Sequence, residues 1–552
     1  MSVLKPLERF WLLLRNDKKD ITRVYAFAIF HGLVNLSIPL GIQAIVNLIQ
    51  GGQVSSSWIM LVVIVVAGVV FAGVLQLLQL RIIETLQQKL FVRAAFEFTF
   101  RIPGIKSEVL DRRDASELMN RFFDTLSVQK GLSKILIDFS TATLQIFFGL
   151  VLLSFYHPFF IVFSFALILM VWSIFKLTAK RGLETSLKES KFKYRVAYWL
   201  QNVARNKNTF KLAGATDLHL KRTDLHVQGY LGAREGHFAV LRQQYSLLIV
   251  FKTLVAAGLL VIGGLLVLNQ QMNIGQFIAA EIIILLVISS VEKLILSVEN
   301  IYDVLTALDK IGQVTDLETE PVSGSDFDQR TGHKSGIEVE VNNVTFAYPD
   351  APKPVISRLS LLLKPGEKVC LSGQNGSGKS TLLHLIAGLY HAQEGTVCFN
   401  GLPLGNFNPD SLRAHMGVRL SGEQLFQGTV AENITLGRKG IGFDDLKWAA
   451  DAMQLSASIK ELPQGFDTEV GAEGVKLPKS VEQKILLARS IVNKPALLLL
   501  ENSIAFIEQT EREKIIKFLT DPAQPWTLIA SSMDEAMRQA CSRTVIIDAS
   551  II

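Results

Sequence analysis

The sequence predicts a multi-domain membrane protein, in which an all-α domain with six transmembrane helices is followed by an α/β domain. Of its 552 residues, 49% are hydrophobic and only 19% are charged, and the mean hydropathy is +0.32. Soluble domains carry about 25% charged residues, so a large part of this chain lies in lipid. After residue 311 the hydropathy falls, and short β-rich runs alternate with helical patterns. This alternation indicates a mainly parallel sheet covered by helices and preceded by an antiparallel edge.

Six apolar stretches are long enough to cross the ~30 Å hydrocarbon core of a bilayer. They cover residues 24–49, 58–80, 135–156, 159–175, 245–268 and 274–296. The two long connections between them, residues 81–134 and 176–242, show helical periodicity and are rich in Lys and Arg. We therefore expect the transmembrane helices to continue well beyond the bilayer.

The distribution of basic residues predicts the orientation. The short connections 50–57, 156–158 and 269–273 contain no Lys or Arg, in contrast to the two long ones. By the positive-inside rule, the long connections and both termini face the cytoplasm, in a multi-pass protein of the cytoplasmic (inner) membrane. This topology accounts for the net charge of +6 without a nucleic-acid partner.

Changes in composition predict four segments along the chain. Residues 1–20 alternate apolar and basic residues, as expected of an amphipathic interfacial helix. Residues 21–311 form the six-span domain with its long cytoplasmic helical extensions. Residues 312–336 are polar and rich in Gly, Ser and Asp, which indicates a linker. Residues 337–552 form the α/β domain.

The α/β domain contains a phosphate-binding loop. Residues 373–380 read GQNGSGKS, which fits G-x-x-x-x-G-K-[ST], and they lie between the strand KVCLS and the helix STLLHLIAGL. Glycines allow the backbone amides to surround phosphate oxygens, Lys379 neutralises the β- and γ-phosphates, and the Ser380 hydroxyl can ligate Mg²⁺. The loop therefore predicts a nucleoside triphosphate site. Its expected binding residues are Gly373, Asn375, Gly376, Ser377, Gly378, Lys379, Ser380 and Thr381.

Six spans, long cytoplasmic extensions, a linker and this loop together resemble a half-transporter of the ATP-binding cassette (ABC) exporter family, over nearly the whole chain. In this resemblance, Tyr348 of VTFAYPD matches the aromatic residue that stacks on adenine. Residues 425–437 match the segment after the Q-loop, and Glu473 in VGAEG matches the acid of the X-loop. The resemblance implies ATP and Mg²⁺ as ligands, and ATP-coupled transport from the cytoplasm outward.

The resemblance also implies partners. A half-transporter works as a homodimer, or as a heterodimer with another ABC half-transporter, and membrane lipid surrounds its spans. The resemblance favours a peptide or protein as the exported substrate, while lipid and drug-like cargo stay open.

Two catalytic motifs depart from the family pattern. The signature LSGGQ is replaced by residues 477–481, LPKSV, in which Pro478 has no N–H and the glycines are missing. The aspartate–glutamate pair is replaced by Glu501 and Asn502. Glu501 keeps the charge that faces Mg²⁺ but is one methylene longer, whereas Asn502 cannot accept a proton as a general base.

Three further motifs are altered. Ser532 takes the place of the switch histidine, Ser421 that of the Q-loop glutamine, and residues 505–508 read AFIE in place of the D-loop sequence SALD. The catalytic positions Asn502 and Ser532 are thus substituted, while Ser380 and Glu501 remain as candidate Mg²⁺ ligands. Phosphoryl transfer depends on positioning and electrostatics, so we predict ATP binding with weak or absent hydrolysis. The alternative is a non-hydrolysing nucleotide-binding partner or regulatory subunit of a heteromeric exporter or secretion assembly.

Two ionisable residues lie within the predicted spans, Lys252 in the fifth and Glu281 in the sixth. Such residues line a pathway or pair with one another. The alternative is that Lys252 reaches the cytoplasmic interface and Glu281 lies close to the outer one. The three cysteines, Cys370, Cys398 and Cys541, lack the spacing of a metal or redox motif, which predicts reduced, buried thiols.

Overall fold

The computed structural model describes residues 5–50, 56–111, 113, 115–327, 336–349, 351–471 and 475–547. The chain divides into two compact units. Unit 1 comprises Met1–Pro103 and Asp114–Leu317, and unit 2 comprises Gly104–Arg113 and Glu318–Ile552.

The first part of the chain is helical. Its helices are α1 (Pro6–Asn16), α2 (Lys18–Asn35), α3 (Ser37–Gln50), α4 (Ser56–Arg101), α5 (Ser107–Leu110), α6 (Ala115–Met119), α7 (Asp124–Lys134), α8 (Ser140–Ser154), α9 (Phe159–Arg205), α10 (Lys207–Leu212), α11 (Leu218–Leu268) and α12 (Ile274–Thr315). A π-helical segment joins α7 to α8, and α5 alone belongs to unit 2.

Six helical segments in the described part of the chain are long and apolar enough to cross a membrane, as predicted. The helices α4, α9, α11 and α12 contain 46, 47, 51 and 42 residues. At 1.5 Å per residue each is longer than ~60 Å, about twice the hydrocarbon thickness. These four helices are therefore longer than a bilayer crossing requires, and their extension beyond the bilayer stays a prediction.

The first span is interrupted between α2 and α3. The helix α2 ends at Asn35, and α3 begins at Ser37. Pro39 has no N–H to donate, and its ring clashes with the carbonyl of the residue four positions earlier, which is Asn35. The proline therefore sets the position at which this helix stops and restarts.

The second half of α9 packs closely on α12. Its buried face changes from mostly apolar residues to mostly small ones, among them Gly182 and Ser186. The Ser186 hydroxyl lies 3.0 Å from that of Thr306, and a Cβ on Gly182 would overlap the ring of Tyr302. Small residues thus let the two helices approach closely.

The intramembrane lysine has a partner that sequence reasoning missed. The Lys252 ammonium on α11 lies 2.6 Å from the carboxylate of Glu292 on α12, and not against Glu281. Both side chains keep about a third of their exposure. This pair links two neighbouring spans, so Lys252 is not a lone charge in lipid.

Unit 2 is the α/β part. Its strands are β1 (Val339–Phe346), β2 (Ile356–Leu363), β3 (Lys368–Ser372), β4 (Glu394–Phe399), β5 (Leu402–Pro403), β6 (Met416–Arg419), β7 (Gly428–Thr429), β8 (Glu469–Val470), β9 (Leu497–Glu501), β10 (Thr527–Ser531) and β11 (Arg543–Ile546). Its helices after α5 are α13 (Lys379–Ile386), α14 (Pro409–Ala414), α15 (Val430–Thr435), α16 (Phe443–Ala452), α17 (Ser456–Glu461), α18 (Lys479–Ile491), α19 (Gln509–Thr520) and α20 (Glu535–Ala540).

A five-stranded parallel sheet, in the order β11-β3-β10-β9-β6, forms the centre of unit 2. Strands β9 and β10 are buried along their whole length, as expected of a parallel sheet with both faces covered. The antiparallel strands were predicted as an edge of this sheet, and this was wrong. They form a separate four-stranded sheet, because β2 and β4 occupy both sides of β1.

The cysteine prediction is confirmed. Cys370, Cys398 and Cys541 are buried, and all three thiols are free.

Candidate nucleotide-binding site

The phosphate loop follows β3 and leads directly into α13. Gly373 and Gly378 have φ angles of 144° and 90°, which side chains rarely adopt. A Cβ at Gly373 would also overlap the carbonyl oxygen of Ile547. Asn375 and Gly376 form the exposed tip of the loop. Backbone geometry therefore explains why glycines occupy these positions.

The Lys379 ammonium holds this loop together. It donates hydrogen bonds to the carbonyl oxygens of Gly373 at 2.8 Å and Gln374 at 2.7 Å. A longer contact of 3.4 Å reaches the hydroxyl of Ser377, which is itself buried. The cation thus already lies at the centre of the loop, where a triphosphate would place its charge.

Glu501, the last residue of β9, connects this strand to the phosphate loop. This side chain is only 3% exposed, and its carboxylate accepts hydrogen bonds from the Ser380 hydroxyl and, at 2.7 Å, from the Ser421 backbone N–H. Burial raises the pKa of Glu501, but the hydrogen bonds from Ser380 and Ser421 outweigh burial and hold the pKa below its usual value. Glu501 is therefore ionised at neutral pH.

The residues at this place fit Mg²⁺. The Ser380 hydroxyl donates its hydrogen bond to Glu501, which leaves lone pairs of the hydroxyl oxygen free for a metal. Mg²⁺ in nucleotide sites commonly takes one or two carboxylates together with phosphate oxygens and water. Ser380 and Glu501 would supply the hydroxyl and the carboxylate.

The two substituted catalytic positions lie at the carboxyl ends of adjacent strands, next to the loop after β3. Asn502 has a left-handed φ of 43°, donates its backbone N–H to the Ser531 carbonyl at 2.9 Å, and exposes its side chain. The Ser532 hydroxyl is buried and accepts the backbone N–H of Asp534 at 3.1 Å. Neither side chain offers a basic group to an attacking water.

The structure also describes the signature and D-loop positions. Pro478 is the N-cap of α18, and the exposed Lys479 is its first residue. Phe506 has a φ of 68° and is 71% exposed. Glu473, matched to the X-loop acid, lies outside the described residues. No glycine stands at this helix start, where the family pattern places two.

Tyr348 lies beside the phosphate loop. Its hydroxyl is 3.1 Å from the Thr381 hydroxyl, and the edge of its ring packs against Phe346 and Tyr390, with centroids 5.1 and 5.4 Å away. Its stacking on adenine stays a prediction. Tyr390 was missed in the sequence, because it lies beyond the loop motif and only the fold brings it to Tyr348.

Tyr390 links this cluster to the segment Gly104–Arg113, which contains α5 and belongs to unit 2. The Tyr390 hydroxyl donates to the Asp111 carboxylate at 2.7 Å, and the backbone N–H of His391 donates to Glu108 at 3.2 Å. Burial and the Asp111 carboxylate raise the pKa of Tyr390, so the phenol stays a donor at neutral pH. One tyrosine thus contacts both Tyr348 and the segment that follows α4.

We expect Tyr390→Phe to loosen this segment without weakening nucleotide binding. The variant loses the hydrogen bond to Asp111, whereas its ring still packs on Tyr348. A hydrogen bond to a charged group contributes about 1.5–3 kcal/mol, so amide hydrogen exchange in residues 104–113 should be about tenfold faster or more. Tyr348→Phe, which loses only the Thr381 contact, is the control. Unchanged exchange in Tyr390→Phe would contradict this role.

Two family models and a solved structure match this chain. Residues 24–291 match the family model for the ABC transporter transmembrane region, and residues 356–505 match the model for the ABC transporter itself. A solved structure of a bacterial Atm1-family ABC exporter with ATP bound superposes with a TM-score of 0.84. The two sequences are 19% identical, and the match covers 96% of this chain and 94% of the exporter chain. At this identity, the likeness shows the fold.

Curated relatives are similar over part of the chain. An uncharacterized ABC transporter ATP-binding protein, YfiB of Bacillus subtilis, is 31% identical over 42% of this chain and 39% of its own length. The ATP-dependent lipid A-core flippase of Dechloromonas aromatica is 30% identical over 46% of this chain and 43% of its own length. The cyclolysin secretion/processing ATP-binding protein CyaB of Bordetella pertussis is 28% identical over 59% of this chain and 45% of its own length. The matches thus cover less than half of each of these relatives.

Proposed function

Because the chain belongs to the ABC transporter family and combines its transmembrane region with its nucleotide-binding domain, we propose that it is an ABC exporter half-transporter. It binds ATP with Mg²⁺ at its phosphate loop and moves its substrate from the cytoplasm outward across the cytoplasmic membrane. Hydrolysis at its own site is weak or absent.

The ordered phosphate loop beside the buried Glu501 carries this proposal. Lys379 lies at the centre of the loop, ready to neutralise the β- and γ-phosphates. Ser380 and Glu501 would hold Mg²⁺, which offsets phosphate charge when it is bound. Tyr348 supplies a ring near Thr381 on which adenine can stack. Binding therefore needs no residue beyond those already in place.

Weak hydrolysis follows from what Asn502 and Ser532 cannot do. A general base contributes about 10²–10⁴-fold to a rate, and the amide of Asn502 is not a base. The Ser532 hydroxyl is buried and accepts the Asp534 N–H, and a serine lacks the imidazole ring of the family's switch histidine. A water molecule beside the bound nucleotide is therefore not activated by either residue.

The proposal includes a dimer. The altered signature at Pro478 and Lys479 would face nucleotide bound to a second half-transporter, which is either another copy or a different chain. Both termini lie in the cytoplasm, because the Lys-rich and Arg-rich connections do. The cargo is proposed to be a peptide or protein, as the name of the CyaB relative suggests for that protein; the flippase relatives keep lipid open.

Native mass spectrometry of the purified full chain, released from membrane in MgATP, tests this proposal. We expect two half-transporters in one particle, each of 61.2 kDa if both are copies of this chain, with bound nucleotide. The Lys379→Ala variant should form the same particle with much less bound nucleotide. Single chains that carry no nucleotide would contradict the proposal.

A further inference from the structure

A cavity of about 310 Å³ lies between α11 and α12, and we call it the α11–α12 cavity. Phe238 and Tyr245 of α11 and Leu296 of α12 line it, and each of these side chains is about half exposed. Phe238 and Tyr245 are two helical turns apart, so they share one face of α11. The volume is at the small end of ligand sites, which suits a headgroup and not a whole lipid or peptide.

Two opposite charges line this cavity without pairing. Arg242 is on α11 and Glu299 is on α12, and within the described ranges neither side chain forms a hydrogen bond or a salt bridge. Deeper in the membrane, Lys252 of α11 and Glu292 of α12 are 2.6 Å apart. Packing of these two helices therefore allows opposite charges to meet, yet Arg242 and Glu299 stay apart on either side of the cavity.

Two further polar groups of the cavity already have partners. The Gln244 amide donates hydrogen bonds to two hydroxyl groups, at 2.9 and 3.2 Å. The Ser246 hydroxyl donates to the backbone carbonyl of Arg242 at 2.9 Å. The charged groups of Arg242 and Glu299 are therefore left to bind a ligand.

Neighbouring charges do not neutralise Glu299. The titratable groups around Glu299 and the adjacent Asp303 are the Glu189 carboxylate, the cations of Arg234 and Lys193, and the imidazole of His237. Arg234 pairs with Glu189, 3.3 Å away. Three carboxylates thus share two permanent cations, and the Glu299 side of the cavity stays acidic.

Both free charges lie at the level of the cytoplasmic lipid headgroups. Arg242 is three residues before the predicted fifth span, and Glu299 is three residues after the predicted sixth. At 1.5 Å per helical residue, each is ~4.5 Å outside the hydrocarbon core, whereas the headgroup layer is ~5–7 Å thick on each side. Tyr245, the first residue of the fifth span, is a residue type enriched at this level.

We propose that the α11–α12 cavity binds a zwitterionic phospholipid headgroup with a primary ammonium, the chemistry of phosphatidylethanolamine. The Arg242 guanidinium donates to the phosphate oxygens, and the Glu299 carboxylate accepts hydrogen bonds from the ammonium. The apolar wall contacts the first carbons of the acyl chains. The quaternary ammonium of phosphatidylcholine has no N–H to donate to Glu299, and phosphatidylglycerol brings no cation to it.

Native mass spectrometry of the full-length protein in detergent tests this site. The protein is titrated separately with phosphatidylethanolamine, phosphatidylcholine and phosphatidylglycerol of identical acyl chains. No nucleotide is added, so the result is independent of the function proposed above. We expect saturable retention of one phosphatidylethanolamine per chain and about tenfold weaker binding of the other two lipids, since each lacks a charge-assisted hydrogen bond.

Two variants separate the two contacts. Arg242→Gln should weaken phosphatidylethanolamine binding about tenfold, because the phosphate loses its cation. Glu299→Gln should weaken it by a similar factor and should strengthen phosphatidylglycerol binding, because no carboxylate then repels the anionic lipid. A gain of affinity for one lipid cannot result from misfolding.

The matched control is Arg81→Gln, which removes an exposed arginine directly after the predicted second span, at the same border of the membrane. Its lipid affinities should equal those of the wild type. Equal binding of the three lipids by the wild type, or an unchanged lipid preference in Glu299→Gln, would overturn the proposal. Tightest binding of phosphatidylglycerol by the wild type would also overturn it, in favour of a site for anionic lipid.

Discussion

Changing Asn502 to glutamate together with Ser532 to histidine is expected to raise MgATP turnover by about 10²–10⁴-fold, the usual contribution of a general base. The Asn502 side chain is exposed at the end of β9, so a glutamate fits there without disturbing the core. Ser532 lies at the end of the adjacent strand β10. The double variant thus returns a proton acceptor and a hydrogen-bonding ring to the edge of the sheet that carries the phosphate loop.

Asn502→Gln is the matched control, because glutamine has the length of glutamate without its basicity. Its turnover should stay at the wild-type level. If the double variant binds ATP and still shows no increase, the loss of base and switch residues is not what limits hydrolysis. The altered start of α18, with Pro478 and Lys479, would then be the stronger obstacle.

Lys379→Ala is expected to weaken ATP binding by about ten- to hundredfold. The ammonium contacts the Gly373 and Gln374 carbonyls and lies where the β- and γ-phosphates would bind. A hydrogen bond to a charged group contributes about 1.5–3 kcal/mol, which corresponds to this range of affinity. Equilibrium binding of a fluorescent ATP analogue to the full-length protein measures the effect.

The control is Lys460→Ala, an exposed lysine on α17. It should bind nucleotide as the wild type does. Equal affinity in Lys379→Ala and the wild type would show that the phosphate loop is not the binding site.

Much of the architecture could be predicted because its causes are local. A run of apolar residues as long as the bilayer is thick determines a span, and the six spans follow from that alone. The phosphate loop could likewise be recognised, since Gly373 and Gly378 need backbone angles that other residues avoid. The assignment of Glu501 and Ser380 to one Mg²⁺ site followed from the resemblance to the ABC exporter family.

Contacts between distant positions could not be predicted. Tyr390 and Asp111 are 279 residues apart, and no local pattern joins them. Lys252 was expected to line a pathway, to pair with Glu281 or to reach the interface. Its pairing with Glu292 could not be predicted, because it depends on packing between α11 and α12. The antiparallel strands were misplaced for the same reason, because strand order within a sheet is a tertiary property.

MgATP turnover by the purified wild-type protein in lipid nanodiscs, with ATP binding measured on the same sample, tests the central claim most directly. Lys379→Ala serves as the blank. The account predicts saturable ATP binding by the wild type, with turnover no higher than that of the blank. Turnover of about one per second, within the usual range of enzymes, that disappears in Lys379→Ala would contradict it.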